Sequence, residues 1–336
     1  MRSTRPQPMA VIGAGSWGTA LAIQLARAGH QTRLWGRDAV QLDAMKRVRC
    51  NDRYLPDAAF PPALSVANDL HRALDGVRDA LIAVPSHAFR ATLQLIEPHL
   101  NEDTRVAWAT KGFEISSGLL PHQVASEILG ARPGAVLSGP TFAKEVGAGL
   151  PTAMTVASRD PAFAKALASR LSGPNFRAYM QTDIVGVEVG GAVKNVVAIG
   201  SGIADGMGFG ANTRVALITR GLAEMMRLGV QLGAARETFM GLAGLGDLVL
   251  TCTDDQSRNR RLGLALGRGR SMQDAQRGIH QVVEGILASQ AVYAVSERLS
   301  VEMPICREVF RIMHEEKPVR EAVQELMGRE MRSETE

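Results

Sequence analysis

A glycine-rich turn near the amino terminus constrains this chain more than any other feature. Gly13, Gly15 and Gly18 form a G-x-G-x-x-G pattern that follows the apolar run 9–12 and opens an amphipathic segment. The first glycine permits a tight turn, the second lets the backbone approach a pyrophosphate, and the third lets helix and strand pack closely. Because strand, turn and helix come in that order, the pattern favours a dinucleotide-binding βαβ unit over a purely structural turn.

Short apolar runs alternate with helical patterns through the first half of the chain. The predicted strands are 9–12, 31–35, 80–84, 106–109, 135–137, 153–157 and 177–180. The predicted helices between them are 16–28, 87–96, 122–128 and 161–171, the first of them ended by Gly29. This alternation predicts a mainly parallel sheet with helices on both faces.

The pattern changes after residue 184, where no further alternating strand is evident. The predicted helices there are 187–199, 213–228, 257–266, 271–276, 285–299 and 318–327, with Pro318 in the first turn of the last. The predicted fold class is therefore α/β, with an N-terminal Rossmann-type doubly wound sheet in residues 1–184 and an all-helical domain in residues 185–336. Residues 1–8 are predicted to be a disordered leader.

Composition excludes several other classes of protein. The three cysteines, Cys50, Cys252 and Cys306, are far apart and form no CxxC pair, so neither a disulfide framework nor a zinc site is indicated. A net charge of +4 over 336 residues is too small to indicate nucleic-acid binding. No apolar run approaches the roughly 18 residues of a membrane span, and no signal-peptide core follows the leader. We therefore expect a cytoplasmic enzyme without a metal, a nucleic-acid partner or a membrane span.

The end of the second predicted strand bears on the choice of cofactor. A NAD-preferring site usually has Asp or Glu there for the ribose hydroxyls, whereas this chain has Arg37 followed by Asp38. An arginine at this place suits the 2′-phosphate of NADP, and Asp38 is one position late and suits a helix cap. The residues favour NADP and leave NAD open; a solvated arginine is the alternative for Arg37.

Polar groups also follow two later predicted strands. Lys111 comes soon after strand 106–109, and Gly139 and Thr141 come soon after strand 135–137. In open α/β sheets, ligands bind beyond the carboxyl ends of the strands. We expect Lys111 to meet an anionic ligand or substrate, and the Thr141 hydroxyl with its neighbouring amides to bind a substrate oxygen.

The apolar helix predicted at 187–199 carries a lysine after a pair of glycines. Gly190 and Gly191 each cost about 1 kcal/mol in a helix, so we expect another helix or the cofactor to approach them closely. Lys194, beside Asn195, lies among apolar residues. Desolvation there lowers a lysine pKa, so Lys194 is a candidate general acid/base rather than a surface lysine.

A lone carboxylate follows three spaced glycines in another apolar run. Asp247 is costly to bury without a partner, and Lys194 is its natural partner; a helix cap is the alternative. Further on, residues 257–272 contain five arginines and no acid. The start of this segment, at Ser257, Arg258 and Asn259, predicts a phosphate cradle of guanidinium and helix amides. The alternative is a solvated basic helix, the usual interpretation of such a run of charges.

Taken together, these segments resemble the bacterial-type NAD(P)-dependent glycerol-3-phosphate dehydrogenases over nearly the whole chain. The motifs that carry the resemblance are GAGSWGTALA at 13–22, WGR at 35–37, NDRYLP at 51–56, TKGFE at 110–114, LSGPTFAKEV at 137–146, EVGGAVKNVVAIGSGIADG at 188–206, GLAGLGDLVLTCT at 241–253, SRNRRLG at 257–263 and VVEG at 282–285. Their order along the chain is specific to that family.

The resemblance implies a role for each matched position. The residues implied to bind or border NADP or NAD are Ser16, Trp17, Arg37, Lys111, Ala143, Arg258, Val282 and Glu284. The residues expected to bind substrate are Lys111, Gly139, Thr141, Lys194, Asn195, Asp247, Ser257, Arg258 and Asn259. Lys194 is implied to be the acid/base, with Asp247 as its catalytic partner. The implied reaction is reduction of dihydroxyacetone phosphate by a homodimer, which supplies glycerol 3-phosphate for glycerophospholipid synthesis.

Two other functions stay open from the sequence. A related Rossmann dehydrogenase for a small hydroxy acid would use the arginine cluster to bind a carboxylate, although the continuous run 245–261 argues against it. A catalytically dead dinucleotide sensor would be marked by loss of Lys194 or Asp247, and both residues are present.

Overall fold

The computed structural model describes residues 7–279, 282–330 and 333. Its strands are β1 (Met9–Ile12), β2 (Thr32–Trp35), β3 (Cys50–Asn51), β4 (Leu55–Ala59), β5 (Leu64–Val66), β6 (Asp79–Ile82), β7 (Arg105–Trp108), β8 (Gly134–Ser138), β9 (Thr152–Ala157) and β10 (Phe176–Gln181). Eight of them form one sheet in the order β10-β9-β8-β7-β6-β1-β2-β5, and β3 and β4 form a separate antiparallel hairpin. Neighbours in the large sheet are parallel except β8 and β9, which are antiparallel.

This sheet confirms the predicted doubly wound fold. Strand order runs outward from β1 in both directions, so the topological switch point lies between β1 and β6, where ligands bind in open α/β sheets. All four residues of β1 and of β6 are buried. Helices cover both faces, which explains why such strands read as continuous apolar runs rather than alternating ones.

The α-helices lie between and after these strands. They are α1 (Ser16–Arg27), α2 (Ala39–Val48), α3 (Leu70–Leu74), α4 (Ser86–Ile96), α5 (Pro121–Leu129), α6 (Ala143–Ala148), α7 (Pro161–Leu171), α8 (Ile184–Gly206), α9 (Ala211–Gln231), α10 (Asp247–Thr253), α11 (Arg258–Gly267), α12 (Met272–Arg277), α13 (Glu284–Arg298), α14 (Pro304–His314) and α15 (Val319–Met327). Among the described residues no strand follows β10, so the predicted helical second half is confirmed.

Helix α8 is the centre of the second half. It packs against α9, α10, α11, α13 and α14. By length and composition it is apolar enough to cross a membrane, but 89% of its apolar window is buried inside the protein. That burial is the ordinary behaviour of a core helix and accounts for its hydrophobicity without a bilayer.

Two predicted local signals are confirmed. Gly29, with φ of 91°, follows the end of α1, and the Asp38 side chain caps α2 by accepting a hydrogen bond from Gln41 N at 3.0 Å. Pro318 is the N-cap of α15 and not part of its first turn, a shift of one residue. The hairpin β3–β4, strand β5 and helices α3, α10 and α14 were not predicted, and a helix was expected at α2 and at α6 without stated bounds.

Two further expectations concern the amino-terminal segment and the boundary between the two halves. The predicted leader, residues 1–8, lies mostly outside the described residues, which begin at Gln7. The predicted boundary between residues 184 and 185 stays a prediction; β10 ends at Gln181 and α8 begins at Ile184.

Candidate functional site

The glycine-rich turn joins β1 to α1 and has the shape that a dinucleotide requires. Gly13 has φ of 121°, and a Cβ there would lie 2.4 Å from the Ala83 carbonyl oxygen. A Cβ on Gly18 would lie 1.9 Å from the Gly13 carbonyl oxygen. A Cβ on Gly15 would meet no described atom within 4 Å. The first and third glycines therefore allow close packing, and the second leaves open space at the helix N-terminus, where amides bind phosphate.

Two amide side chains hold this turn in place. Asn51, at the end of β3, donates to the Ala14 carbonyl oxygen at 3.1 Å and to Thr19 Oγ1 at 2.8 Å. Gln41 of α2 donates to the same carbonyl oxygen at 3.1 Å. Sequence reasoning gave Asn51 no role beyond its place in a family motif, because a hydrogen bond between residues 37 positions apart leaves no local signal.

A cleft of about 610 Å³ opens between the carboxyl end of the sheet and the helical half. Most of the predicted site residues line it: Ser16, Trp17, Lys111, Thr141, Ala143, Lys194, Asn195, Asp247, Ser257, Arg258, Asn259 and Glu284. Tyr54 and Leu55, from the unpredicted β3–β4 hairpin, form part of its wall. The structure thus brings residues from both halves of the chain to one cavity.

Six predicted positions, Gly13, Gly15, Gly18, Arg37, Gly139 and Val282, do not line the cleft itself. Gly139, with φ of 143°, lies behind Thr141, whose hydroxyl donates to the Gly139 carbonyl oxygen at 3.2 Å. Arg37 is exposed, two residues beyond β2, and makes no hydrogen bond or ion pair with the described residues. Val282 is 51% exposed. The glycines of the turn do not line the cleft, whereas the neighbouring Ser16 and Trp17 do.

Two lysines and one aspartate form the polar centre of the cleft. Lys194 Nζ of α8 lies 2.5 Å from Asp247 Oδ1, and Lys111 Nζ, just beyond β7, lies 2.7 Å from Asp247 Oδ2. Lys194 also donates to Thr251 Oγ1, one turn further along α10, at 3.1 Å. The predicted pairing of Lys194 with Asp247 is present, and the participation of Lys111 and Thr251 is new.

Burial and mutual charge set the ionisation of this cluster. Burial, with a smaller contribution from the nearby Lys111 ammonium, lowers the pKa of Lys194 to about 8 against the opposing effect of the Asp247 carboxylate. Burial disfavours the Asp247 carboxylate, but the two ammonium groups outweigh it and hold the Asp247 pKa below its usual value. Lys194 is therefore able to gain and lose a proton near neutral pH, as a general acid/base must.

The paired glycines of α8 allow the close packing that was expected of them. A Cβ on Gly190 would lie 2.4 Å from the Ala243 carbonyl oxygen, in the tight turn 242–246 that leads into Asp247. A Cβ on Gly191 would lie 3.3 Å from Lys111 Cγ. The backbone of α8 therefore rests on the segment that carries Asp247 and on the Lys111 side chain.

The start of α11, where the anion cradle was predicted, presents donors without partners within the described ranges. Ser257 caps the helix by accepting from Arg260 N at 3.2 Å, and the backbone N–H groups of Arg258 and Asn259 have no partner among the described residues. The Arg258 guanidinium lines the cleft and is also without a partner in the described chain. A free guanidinium beside free helix amides suits a phosphate.

Two other residues of this segment have structural tasks. Asn259 donates to Asn195 Oδ1 at 2.8 Å and accepts from Gly285 N at 2.9 Å, so it joins α11, α8 and α13. Arg260 is buried and pairs with Asp205 at 2.6 Å and with Asp255. At least one of the five arginines in residues 257–272 therefore faces the core.

No group of three or more His, Cys, Asp or Glu residues is arranged to hold a metal within the part of the chain that the structure describes. The cations of the cleft are the lysine and arginine side chains themselves. These side chains can stabilise a developing anion electrostatically.

Comparisons with known proteins agree with this geometry. Two family models match the chain, NAD-dependent glycerol-3-phosphate dehydrogenase N-terminus over residues 8–164 and C-terminus over residues 183–324. The chain is 56% identical to a glycerol-3-phosphate dehydrogenase (NAD(P)+) of Edwardsiella ictaluri over 328 residues, 97% of each protein. It is 55% identical to one of Yersinia pestis over 334 residues, 99% of this chain and 98% of that one.

A solved structure extends the similarity to three dimensions. The crystal structure of glycerol-3-phosphate dehydrogenase from Coxiella burnetii superposes with a TM-score of 0.93 at 49% sequence identity. The match covers 96% of this chain and 99% of that one. Both halves of the fold therefore have counterparts in a single relative.

Proposed function

Because this chain belongs to the NAD-dependent glycerol-3-phosphate dehydrogenase family, we propose that it reduces dihydroxyacetone phosphate to sn-glycerol 3-phosphate with NADPH or NADH. The observation that carries the proposal is the Lys111–Asp247–Lys194 cluster. It lies in one cleft with an anion cradle at Arg258 and with the helix that follows the glycine-rich turn. These are the three parts that the reaction needs: a proton donor, a phosphate site and a dinucleotide site.

The dinucleotide site is proposed at the glycine-rich turn. The open space at Gly15 and the first amides of α1 fit a pyrophosphate. Along the cleft, Ser16, Trp17, Ala143 and Glu284 border the proposed cofactor path, as the family resemblance implies. When bound, the nicotinamide supplies the hydride that reduces the ketone carbon.

The substrate phosphate is proposed to bind at the start of α11. Arg258 supplies a charged, planar donor, and the amides of Arg258 and Asn259 supply two more donors. Thr141 and Asn195 line the same cleft and are proposed to bind the substrate oxygens. The ketone is then held on the lysine side of the cleft.

Lys194 is proposed to act on the ketone oxygen. Its ammonium stabilises the alkoxide as negative charge develops and donates the proton that completes the alcohol. Asp247 holds the ammonium in place and keeps it protonated, since its charge raises the Lys194 pKa. The Lys111 ammonium pairs with the other carboxylate oxygen of Asp247 and adds a second positive charge to the cluster. Lys194, left as an amine, regains a proton from solvent after turnover.

The proposed function has a direct test. Purified protein with NADPH, and separately with NADH, should consume dihydroxyacetone phosphate and yield glycerol 3-phosphate. A panel of small 2-keto acids tests the hydroxy-acid alternative, and cofactor binding without any turnover would support the sensor alternative. A 2-keto acid reduced faster than dihydroxyacetone phosphate would contradict the proposal.

Arg258→Ala is expected to raise the KM for dihydroxyacetone phosphate about 10–100-fold, because charged hydrogen bonds worth about 1.5–3 kcal/mol are lost. The unphosphorylated ketone dihydroxyacetone should be a poor substrate of the unaltered enzyme. Arg268→Ala, at the other end of α11 and outside the cleft, is the matched control. If dihydroxyacetone were reduced nearly as well as its phosphate, no phosphate cradle operates at Ser257–Asn259.

Arg37→Ala is expected to weaken NADPH binding about tenfold or more while NADH binding changes little, since only NADPH offers a 2′-phosphate to that guanidinium. The exposed Arg47 of α2 provides the control variant Arg47→Ala. Dissociation constants from cofactor fluorescence decide the question. An equal loss of affinity for both cofactors would show that Arg37 does not recognise the 2′-phosphate.

The setting of the enzyme is also a proposal. The family resemblance supports a cytoplasmic homodimer whose product feeds glycerophospholipid synthesis. Light scattering of the purified protein would report the dimer, and a single-chain mass would contradict it.

A further inference from the structure

Glu188 is a buried carboxylate of α8 that the proposed chemistry does not use. Its Oε1 accepts hydrogen bonds from Trp108 Nε1 at 2.8 Å and from the His122 backbone N–H at 2.9 Å. Its Oε2 lies 2.6 Å from His122 Nδ1. The side chain is fully buried and does not line the cleft. Burial raises the pKa of this carboxyl, and the three donors oppose that rise.

We propose that Glu188 is a positioning residue that fixes α8 against the end of β7 and the start of α5, so that Lys194 meets Asp247 beside Lys111. This inference rests on the proposed function, in which Lys194 is the proton donor. Glu188 acts through its three hydrogen bonds and touches neither substrate nor cofactor.

The placement of Glu188 explains how it reaches the reactive cluster. Trp108 ends β7 three residues before Lys111, and Glu188 lies six residues before Lys194, about 9 Å along α8. The Glu188–Trp108 bond and the Lys111–Asp247–Lys194 bridge therefore lock β7 and α8 together at two points.

The packing between these two points makes the helix position matter. Gly191 lies between Glu188 and Lys194 on α8. A Cβ on Gly191 would lie 3.3 Å from both Lys111 Cγ and Ser138 Oγ, so α8 packs closely against these two side chains. A displacement of α8 would change the separation of the two ammonium groups that share Asp247. Displacements of about 1 Å in a catalytic group can cost about 10²-fold in rate.

A buried carboxylate is also a poor choice if stability is the only need. Apolar packing of similar volume is often as stabilising as a buried ionic group, whereas the ionic group specifies one arrangement of its neighbours. Glu188 accepts hydrogen bonds from the end of β7 and from the start of α5. It therefore fixes the position of α8 along its axis and its rotation about that axis relative to both elements.

Three variants separate positioning from stability. Glu188→Ala removes all three hydrogen bonds. Glu188→Gln retains them once His122 moves its ring proton to Nε2 and accepts from the amide. Glu224→Ala is the matched control, because Glu224 is a similarly buried glutamate that accepts from Ile305 N at 2.7 Å and Cys306 N at 3.1 Å and does not line the cleft.

Melting temperature, kcat and cofactor Kd are measured for each variant. Both alanine variants should melt at a lower temperature, but only Glu188→Ala should lower kcat, by about 10–100-fold, with cofactor Kd little changed. Glu188→Gln should recover kcat. Equal kcat losses in Glu188→Ala and Glu224→Ala, or a folded Glu188→Ala with native kcat, would overturn the proposal. If Glu188→Ala does not fold, the Trp108→Phe variant is used instead, because it removes only the hydrogen bond from Trp108 Nε1. A native kcat in Trp108→Phe would also overturn the proposal.

A second readout does not depend on turnover. Acetylation of Lys194 by acetic anhydride against pH, followed by peptide mass spectrometry, should have its midpoint near the Lys194 pKa of about 8 in the unaltered protein. In Glu188→Ala or Trp108→Phe the midpoint should rise by about one pH unit, because a displaced helix admits water. An unaltered enzyme that does not reduce dihydroxyacetone phosphate contradicts the proposed function alone, whereas an unchanged midpoint contradicts the positioning role.

Discussion

Lys194→Ala is expected to lower kcat for dihydroxyacetone phosphate by about 10²–10⁴-fold, the usual contribution of a positioned acid/base. The loss should be confined to chemistry, because the proposed dinucleotide site at Gly13–Gly18 is on a separate element. Lys194→Arg should also fail, since a guanidinium stays protonated and is a poor proton shuttle. Steady-state reduction and fluorescence titration of NADPH provide the two measurements.

The control for this prediction is Lys165→Ala, which removes an exposed lysine of α7 outside the cleft. Near-native turnover in Lys194→Ala would exclude Lys194 from the chemistry and make Lys111 the candidate. Lost turnover combined with lost cofactor binding and a lower melting temperature would instead assign Lys194 a structural role.

Asp247→Asn is expected to lower kcat about 100-fold, within the range of a lost acid/base. The amide keeps the size of the side chain but removes the charge that Lys111 and Lys194 share. Because Asp247 raises the Lys194 pKa, that pKa should fall below about 8 in the variant. Lys194 then loses its proton near neutral pH and cannot act as the donor.

The same substitution should lower stability in a pH-dependent way. The Asp247 pKa is depressed in the folded protein, so the carboxylate contributes stability above its unfolded pKa, and this contribution is lost as pH falls through the folded pKa. Breaking a buried pair costs about 3–5 kcal/mol, less here because Lys194 can release its proton. The melting-temperature deficit of the variant should therefore be largest near neutral pH and shrink in acid.

Asp79→Asn is the matched control. Asp79 is fully buried between Arg105 and Arg170, at the amino end of β6 and thus at the opposite edge of the sheet from the cleft. The Asp79→Asn variant should melt at a lower temperature, but kcat and the pKa seen in the pH dependence of kcat/KM should not change. If both variants lowered kcat alike, the effect of Asp247 would be one of general destabilisation.

The parts of the fold that sequence reasoning predicted are those in which local pattern and burial coincide. Strand β1 was predicted with its observed bounds because a strand buried on both faces is apolar throughout. The β3–β4 hairpin was missed because β3 has two residues and β4 exposes three of its five. Neither strand has an apolar pattern that a window of residues can detect.

The candidate site likewise contains features that a local sequence pattern predicts and features that depend on tertiary packing. The pairing of Lys194 with Asp247 was predictable because an isolated charge in an apolar run needs a partner. Lys111 joins the same aspartate from 136 residues away, through the packing of α8 over the sheet end, and no local pattern reports that. Arg258 and Arg260 are about 200° apart around a helix, so one lines the cleft and the other faces Asp205, a difference that depends on how α11 is oriented.

The pH dependence of kcat/KM for dihydroxyacetone phosphate shows whether Lys194 is the proton donor, because kcat/KM reports ionisations of the free enzyme. Reduction needs the Lys194 ammonium, whose pKa is about 8. Between pH 7 and 10 we expect kcat/KM for reduction to be constant below that pKa and to fall about tenfold per pH unit above it, while kcat/KM for oxidation of glycerol 3-phosphate rises through the same midpoint. A reduction profile that stays flat to about pH 10, near the ordinary pKa of lysine, would contradict this role of Lys194.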